Sequence, residues 1–378
     1  MESIIEETIK ILSYNILAQS LISDSLHMSE EQIKNIEYLN LDYRINKIFQ
    51  IIEKLRPDIC LFQEYEHNGK LKKKFNSNNY FYEILYKKRP GNHTEGCAIA
   101  YDKSKFSLEY YSSLEFRLDN KNNNNNYKNY NNFYNNYTKK KNQNQSIYNK
   151  ENVALFVLLK SKETNFYYLI ICSHLLFNTS RGDIKLGQIY QIIQSALLFK
   201  SYYKDLNITT IFGGDLNSTP SSAIYNYITS QSIDVEFLNK AYLSGQTNQN
   251  YKTDTSFAEI NYEWYNEIIS TYPKFKDYSI ALINKNKKNK NSEDNSKKGL
   301  ILENKLIMKS FYKEKNGKEP EMTSLSTFKG TFDYLFYNTS LNLNINSVLE
   351  IPNYSFSIPD KDNPSDHLPL FVEFNIHN

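Results

Sequence analysis

Six short polar motifs, each at the end of an apolar strand-like run, constrain this chain more than any other feature of its sequence. In chain order the motifs are Ser13-Tyr14-Asn15, Phe62-Gln63-Glu64, Ser173-His174-Leu175, Gly214-Asp215-Leu216-Asn217, Phe332-Asp333-Tyr334 and Ser365-Asp366-His367. Together they supply asparagine amides, carboxylates and imidazoles that one fold could gather at a single mouth. This inventory suits the metal-assisted attack of water on a phosphodiester.

The spacing of apolar residues predicts the fold class. Helical spacing predicts helices at 41–55 and 183–200, and a cap at Ser221 or Ser222 predicts a third helix that ends near Ile228. The predicted strands lie at 10–12, 58–62, 80–86, 97–101, 153–159, 166–173, 209–212, 332–337 and 370–374. Paired strands that alternate with helices predict an α/β fold in which two sheets pack face to face with helices outside.

Two low-complexity stretches interrupt this pattern. Residues 119–150 are almost entirely Asn, Lys and Tyr, and residues 284–299 are mainly Lys, Asn, Ser and Asp. Such a composition cannot bury enough apolar surface to offset chain entropy, so both are expected to be mobile insertions in a single domain that spans 1–378. Their lysines suit RNA binding, but solvated loop charge is the favoured interpretation.

The cysteines and the N-terminus bear on the compartment. Cys60, Cys97 and Cys172 lie far apart in apolar runs without disulfide or zinc spacing, which predicts free thiols in a reducing compartment. The N-terminus lacks a signal-peptide core, and no apolar run reaches the ~20 residues of a membrane span. We therefore expect a soluble cytoplasmic protein, with the nucleus as the alternative, that does not engage a membrane.

Glu64 follows an apolar strand and is the first candidate metal ligand. Mg²⁺ prefers a few carboxylates together with water and phosphate oxygens, so a carboxylate at a strand end suits Mg²⁺, with Mn²⁺ as the alternative ion. The competing interpretation is a surface cap on a loop, and this interpretation is favoured for Glu64 taken alone.

The run from Gly213 to Asn217 is a more specific motif. Its glycines permit a tight turn and the close approach of a substrate. Asp215 and Asn217, two residues apart on an extended segment, are expected to point to the same side. There one would accept a proton from water and the other would orient that water or a phosphate oxygen. An Asx turn that caps the following helix explains the same residues equally well.

The remaining motifs bring two histidines. His367 needs a partner that holds its tautomer and charge, and Asp333 is the candidate. Asp366 would face the metal, and His174, at the end of an apolar strand, would donate to a phosphate oxygen. A single histidine at a strand end is more often structural, but six such motifs on one chain favour a functional site.

The ordered set resembles the endonuclease/exonuclease/phosphatase superfamily of Mg²⁺-dependent phosphoesterases over nearly the whole chain except the two insertions. The resemblance implies a four-layer α/β sandwich with the active site where the sheet ends meet. It also implies a metal site, a water-activating pair, a phosphate contact and an aspartate–histidine pair. The metal site matches Asn15, Glu64 and Asp366, and the water-activating pair matches Asp215 and Asn217. His174 matches the phosphate contact, and Asp333 and His367 match the aspartate–histidine pair.

Longer runs resemble the deadenylase-like branch, which includes Angel proteins, carbon catabolite repressor-type deadenylases and nocturnin relatives. The run 174–178 followed by 181–186 resembles the Angel proteins most, and it makes Asn178 and Arg181 candidate substrate contacts. The run 327–334 resembles the carbon catabolite repressor-type deadenylases, which implies that Phe328 stacks on a substrate base. A buried aromatic at a strand edge is the competing interpretation of Phe328.

These matches predict a 3′–5′ exoribonuclease of poly(A)-specific, deadenylase type that binds RNA 3′ ends and acts in mRNA turnover, with an mRNA-decay complex as a candidate partner. Thr179 stands where the family usually has a proline that helps to clamp an adenine, and the sequence shows no leucine-rich-repeat tether. The first alternative is an RNA 2′,3′-cyclic phosphatase of Angel type. The second is a catalytically silent RNA-binding or scaffold protein, which the intact polar set argues against.

Overall fold

A computed structural model describes residues 5–77, 80–116, 150–236, 238–246, 300–325, 329–352 and 357–378. The expected insertions, apart from residue 150, lie outside these ranges, and so does Phe328. In the part of the chain that the structure describes, no helix is both long enough and apolar enough to cross a bilayer.

Sixteen strands and seven α-helices make up the described fold. The strands are β1 (Glu6–Asn15), β2 (Ile59–Glu66), β3 (Tyr82–Lys88), β4 (Glu95–Asp102), β5 (Phe106–Glu115), β6 (Val153–Ser161), β7 (Tyr167–His174), β8 (Ile208–Asp215), β9 (Ser232–Asp234), β10 (Ile301–Glu303), β11 (Lys309–Ser310), β12 (Ser324–Leu325), β13 (Lys329–Gly330), β14 (Asp333–Asn338), β15 (Asn342–Val348) and β16 (Leu370–His377). The helices are α1 (Ile22–Leu26), α2 (Glu30–Lys34), α3 (Leu41–Leu55), α4 (Lys70–Ser77), α5 (Gly182–Tyr202), α6 (Ala223–Thr229) and α7 (Phe311–Asn316).

Two six-stranded mixed sheets form the centre of the fold. The first has the order β15-β16-β1-β2-β4-β3 and the second has the order β11-β14-β8-β7-β6-β5. One buried cluster joins apolar side chains of both sheets, which shows that they pack face to face. A second cluster places α5 and α6 outside one sheet, and a third places α3 and α4 outside the other. The predicted four-layer α/β sandwich is therefore confirmed.

The helix α3 shows how the sequence builds one of these layers. The Asn40 side chain caps its first turn by accepting a hydrogen bond from the backbone N–H of Asp42, 2.9 Å away. Ile45, Ile48 and Ile52 recur at helical spacing and are buried against the sheet. Burial of each isoleucine contributes roughly 1.5–3 kcal/mol, so this face holds the helix in place.

The strand register brings the polar motifs to one end of the sandwich. In the first sheet β1 and β2 are parallel, with Asn15 opposite Gln63. In the second sheet β7 and β8 are parallel, with His174 opposite Asp215. Because the carboxyl ends of parallel neighbours meet at the same edge, each sheet delivers two motifs there. Antiparallel β14 starts beside them, with Asp333 opposite Asp215.

Candidate active site

Glu64 lies at the end of the sandwich where the polar motifs meet, at a position where the pairing of its strand is interrupted. The register between β2 and β4 shifts between Phe62 and Tyr65, and Glu64 has a left-handed φ of 55°. Such a conformation is uncommon for a residue other than glycine and is typical of functional sites. Here the bulge re-aims the carboxylate, and burial raises its pKa, with the charge of Asp366 adding to the effect and His174 opposing it.

Asn15 lies between two carboxylates. Its Nδ2 donates to Oε1 of Glu64 at 3.0 Å and to Oδ2 of Asp215 at 3.2 Å. Its Oδ1 accepts a hydrogen bond from the backbone N–H of Leu17. The amide nitrogen, rather than the oxygen, therefore faces the acidic side chains, and Asn15 fixes the position of one carboxylate relative to the other.

The chain turns sharply at the end of β8. A Cβ on Gly214 would come within 1.9 Å of the carbonyl oxygen of Ser173, so only glycine fits between the paired strands. Oδ1 of Asp215 accepts a hydrogen bond from the backbone N–H of Asn217 at 2.9 Å, and Asn217 has a φ of 46°. The expectation of an extended segment is wrong here, because this Asx turn folds the two side chains toward the site.

Oδ2 of Asp215 is the centre of the polar cluster. It lies 3.4 Å from Nε2 of His174 and 3.6 Å from Nε2 of His367, in addition to its bond with Asn15. Nδ2 of Asn217 contacts Nε2 of His174 at 3.1 Å and donates to the carbonyl of Leu175. Residues from three other motifs thus meet at one oxygen atom of the buried Asp215 side chain.

Asp333 and His367 form the expected carboxylate–imidazole pair. Nδ1 of His367 lies 2.7 Å from Oδ2 of Asp333, and that oxygen also accepts a hydrogen bond from the Thr323 hydroxyl at 2.6 Å. Burial lowers the pKa of His367, but the charges of Asp333 and Asp215 outweigh it and hold the pKa well above its usual value. These charges favour the protonated imidazole, whose Nε2 lies 3.6 Å from Oδ2 of Asp215.

Asp366 lies on the Glu64 side of the cluster. Its Oδ2 accepts a hydrogen bond from the hydroxyl of Ser25 at 2.6 Å, and its charge acts on the carboxylate of Glu64. The neighbouring Ser365 hydroxyl donates to the backbone carbonyl of Asn15 at 2.7 Å. The last motif is in this way tied directly to the first.

The acidic donor set fits a divalent cation. Among the residues that the structure describes, four buried or nearly buried carboxylates and two imidazoles share this site. The carboxylates belong to Glu64, Asp215, Asp333 and Asp366. Among the described residues, Oδ1 of Asp333 is buried and has no hydrogen-bond partner, which leaves an acceptor unsatisfied inside the cluster. Excess carboxylate oxygens of this kind are the ligands that hard divalent ions take.

The residues expected to contact substrate have different surroundings. Asn178 is exposed, and its Oδ1 accepts a hydrogen bond from the backbone N–H of Ser180, which closes a local turn. The Arg181 guanidinium binds the buried carboxylate of Asp183 through two hydrogen bonds of 2.9 Å. Phe328 lies outside the described residues, so its expected stacking role stays a prediction.

Sequence reasoning missed two buried cations beside the site. Arg44 of α3 donates to backbone carbonyls of the loop that follows β1. Nζ of Lys185 donates to the carbonyl of Asn217 at 2.7 Å, and burial lowers the pKa of this amine to about 7 although Asp215 opposes the shift. Both residues interrupt the apolar face of a helix, and that pattern was the signal available in the sequence.

Comparisons of sequence place this site among known proteins. The sequence model of the endonuclease/exonuclease/phosphatase family matches residues 12–367. The chain is 26% identical to carbon catabolite repressor protein 4 homolog 3 of Arabidopsis thaliana over 383 residues, which cover 97% of this chain and 75% of the relative. It is 30% identical to protein angel of Drosophila melanogaster over 233 residues, but these cover only 60% of this chain and 57% of that protein.

Solved structures share the fold. The crystal structure of ANGEL2, described as a 2′,3′-cyclic phosphatase, superposes with a TM-score of 0.72 at 24% identity and covers 98% of this chain and 95% of its own. The human nocturnin catalytic domain gives a TM-score of 0.58 at 18% identity, with coverages of 99% and 97%. The chain therefore belongs to the endonuclease/exonuclease/phosphatase family of metal-dependent phosphoesterases, in its deadenylase-like branch near the Angel proteins.

Proposed function

We propose that this protein is a Mg²⁺-dependent phosphoesterase, with Mn²⁺ as an alternative ion, that acts on the 3′ end of RNA. The observation that carries the proposal is the convergence of two imidazoles on one oxygen of Asp215, with Glu64 held beside it through Asn15. A silent scaffold protein would not need this arrangement, in which buried charges are kept close together.

Each side chain has a proposed task in hydrolysis. Glu64, with Asp366 nearby, would hold the ion, which when bound stabilises negative charge on the phosphate. Asp215 takes the proton of the attacking water, and the Asn217 amide oxygen orients that water.

The two histidines would stabilise charge as it develops. His367 keeps its proton because of Asp333, and it donates through Nε2 to a phosphate oxygen. His174 lies on the other side of Asp215 and contacts a second phosphate oxygen. Donors fixed in position before the reaction stabilise a developing oxyanion more than mobile water does.

We infer that the substrate is an RNA end that carries a 2′,3′-cyclic phosphate. Lys185, which lies in the Angel-like run, donates a hydrogen bond from Nζ to the carbonyl of Asn217. This run therefore supports the turn that follows Asp215. Thr179 removes the proline that clamps an adenine in the deadenylases. The solved structure of ANGEL2, which is described as a 2′,3′-cyclic phosphatase, also covers almost all of this chain.

A 3′–5′ exoribonuclease of deadenylase type is the second candidate. The run from Thr327 to Tyr334 supports it, because that run resembles the carbon catabolite repressor-type enzymes and supplies Phe328 as a base-stacking side chain. We place either activity in the cytoplasm, where the buried free thiols of Cys60, Cys97 and Cys172 would stay reduced.

One assay with Mg²⁺ separates the two candidates. End-labelled RNAs would carry an A-tail, a non-A tail or a 2′,3′-cyclic phosphate, and Glu64→Gln would control for contaminating nuclease. We expect loss of the cyclic phosphate without shortening of the RNA. A ladder on the A-tail alone would instead establish deadenylation, and no turnover of any RNA would overturn the proposed function.

A further inference from the structure

Arg44 is a fully buried arginine, and among the described residues it forms no hydrogen bond with a carboxylate. Its Nε donates to the carbonyl of Pro364 at 2.6 Å, and Nη1 donates to Oε1 of Gln19 at 3.1 Å. Its Nη2 donates to the carbonyls of Ile16, at 2.5 Å, and Leu17. All four acceptors are uncharged, and they belong to two loops that are far apart in sequence.

The first of these loops holds the Glu64 carboxylate directly. The backbone N–H of Ala18 donates to Oε2 of Glu64 at 3.0 Å. Leu17 has a φ of 53°, a conformation that a leucine rarely adopts unless its surroundings impose it. The Arg44 bonds to the carbonyls of residues 16 and 17 therefore stabilise the unusual backbone that aims the Ala18 N–H at Glu64.

The second loop carries the last polar motif. Pro364, the acceptor for Nε of Arg44, directly precedes Ser365-Asp366-His367. Arg44 thus joins the half of the site that contains Glu64 to the half that contains Asp366 and His367. A planar guanidinium with donors in fixed directions suits this task better than an ammonium group does.

Charge alone does not explain why a cation is buried here. Burial lowers the pKa of Arg44, with Tyr14, Asp366 and Glu64 opposing the shift. A buried cation bonded only to neutral oxygens costs desolvation free energy that a close ion pair would partly offset. Its positive charge also repels a metal ion at Glu64. A role in fixing geometry accounts for the cation, whereas a purely electrostatic role would weaken metal binding.

We propose that Arg44 is a positioning residue that holds Glu64 in its metal-binding orientation by bracing the 16–19 loop against the loop that ends at Pro364. This inference rests on the proposed role of Glu64 as a metal ligand. It predicts that removal of the guanidinium weakens metal binding, although removal of a nearby positive charge would by itself strengthen it.

The test is a titration of the full chain with Mn²⁺. Calorimetry measures the affinity, and the electron paramagnetic resonance signal of free Mn²⁺ measures it independently. We expect Arg44→Met to weaken Mn²⁺ binding by about 10- to 100-fold, as is usual when support for a ligand is lost. Arg44→Lys keeps the charge but cannot make all four bonds, so we expect it to weaken binding as well. This variant carries the test if Arg44→Met does not fold.

Ile52→Ala provides the matched control. Ile52 is buried on the same helix but packs in the apolar layer, so its loss should lower the melting temperature and leave Mn²⁺ affinity unchanged. Wild-type or tighter affinity in both Arg44 variants would overturn the inference about Arg44. Wild-type affinity in Glu64→Gln would instead overturn the proposed metal site, so the two failures are distinguishable.

Discussion

Nδ1 of His367 lies 2.7 Å from Oδ2 of Asp333, although 34 residues separate them in the chain. The same carboxylate oxygen accepts a hydrogen bond from the Thr323 hydroxyl. The Thr323 hydroxyl oxygen in turn accepts hydrogen bonds from the backbone N–H groups of Phe332 and Asp333. The orientation of the imidazole is therefore determined by a network that is anchored in the backbone. The His367 ring is therefore already oriented to donate a proton from Nε2, without a change in its side-chain conformation.

Substitution of Asp333 tests this network. Asp333→Asn keeps the shape but removes the charge that raises the pKa of His367, so the imidazolium would be lost at a lower pH. We expect kcat/KM to fall by about 10²- to 10⁴-fold and its alkaline limb to move to lower pH. A pH–rate profile measures both effects. An unshifted alkaline limb would show that His367 is not the group that titrates there.

The buried amine of Lys185 predicts a pH-dependent stability. Its pKa of about 7 in the folded chain lies below the usual lysine value of 10.5, so the unfolded chain binds more protons between these limits. The free energy of unfolding should therefore rise with pH across this window, relative to that of Lys185→Met, by up to about 1.4 kcal/mol per pH unit. Urea titrations at several pH values measure the difference, and a flat difference would contradict the assignment.

The Arg181–Asp183 pair predicts strong coupling between two neighbouring residues. Asp183 is almost completely buried, so removal of Arg181 deprives its carboxylate of two hydrogen bonds and an ion pair. A double-mutant cycle with Arg181→Met and Asp183→Asn should give a coupling energy of about 1–3 kcal/mol in unfolding free energy. Additive effects would indicate that Asp183 does not hold the Arg181 guanidinium.

The close approach at Gly214 predicts that this position tolerates no side chain. Gly214→Ala would push a Cβ against the Ser173 carbonyl, which is held in the strand pair β7–β8. We expect a loss of about 3 kcal/mol or more in unfolding free energy. Gly317→Ala is the control, since that position has a φ of 76° but open space around it, and it should cost about 1 kcal/mol. Equal losses would contradict the steric argument.

The parts of the site that follow from strand ends could be predicted from the sequence. Asp333 and His367 were paired correctly because Asp333 begins a strand and His367 closely precedes one, and the antiparallel strands β14 and β16 start at the edge where their neighbours β8 and β1 end. The alternation of side chains along an extended strand did not predict the geometry of Asp215 and Asn217 correctly. The hydrogen bond from the backbone N–H of Asn217 to Oδ1 of Asp215 turns the chain there, so the segment is not extended.

Long-range support could not be predicted in the same way. Arg44 has its acceptors at 16, 17, 19 and 364, and no local pattern reveals bonds over such separations. Arg181 was a candidate substrate contact because it lies in the run that resembles the Angel proteins. Only the fold shows that Asp183, two residues away, binds its guanidinium.

The most direct test of the account is the rate of RNA phosphoester hydrolysis by Glu64→Gln in Mg²⁺, measured under single-turnover conditions beside the wild-type chain. The account predicts a fall of about 10³-fold or more, with an unchanged melting temperature in the absence of metal, because the amide keeps the shape of Glu64 but not its charge. A rate near that of the wild type would contradict the central claim that Glu64 holds the catalytic metal.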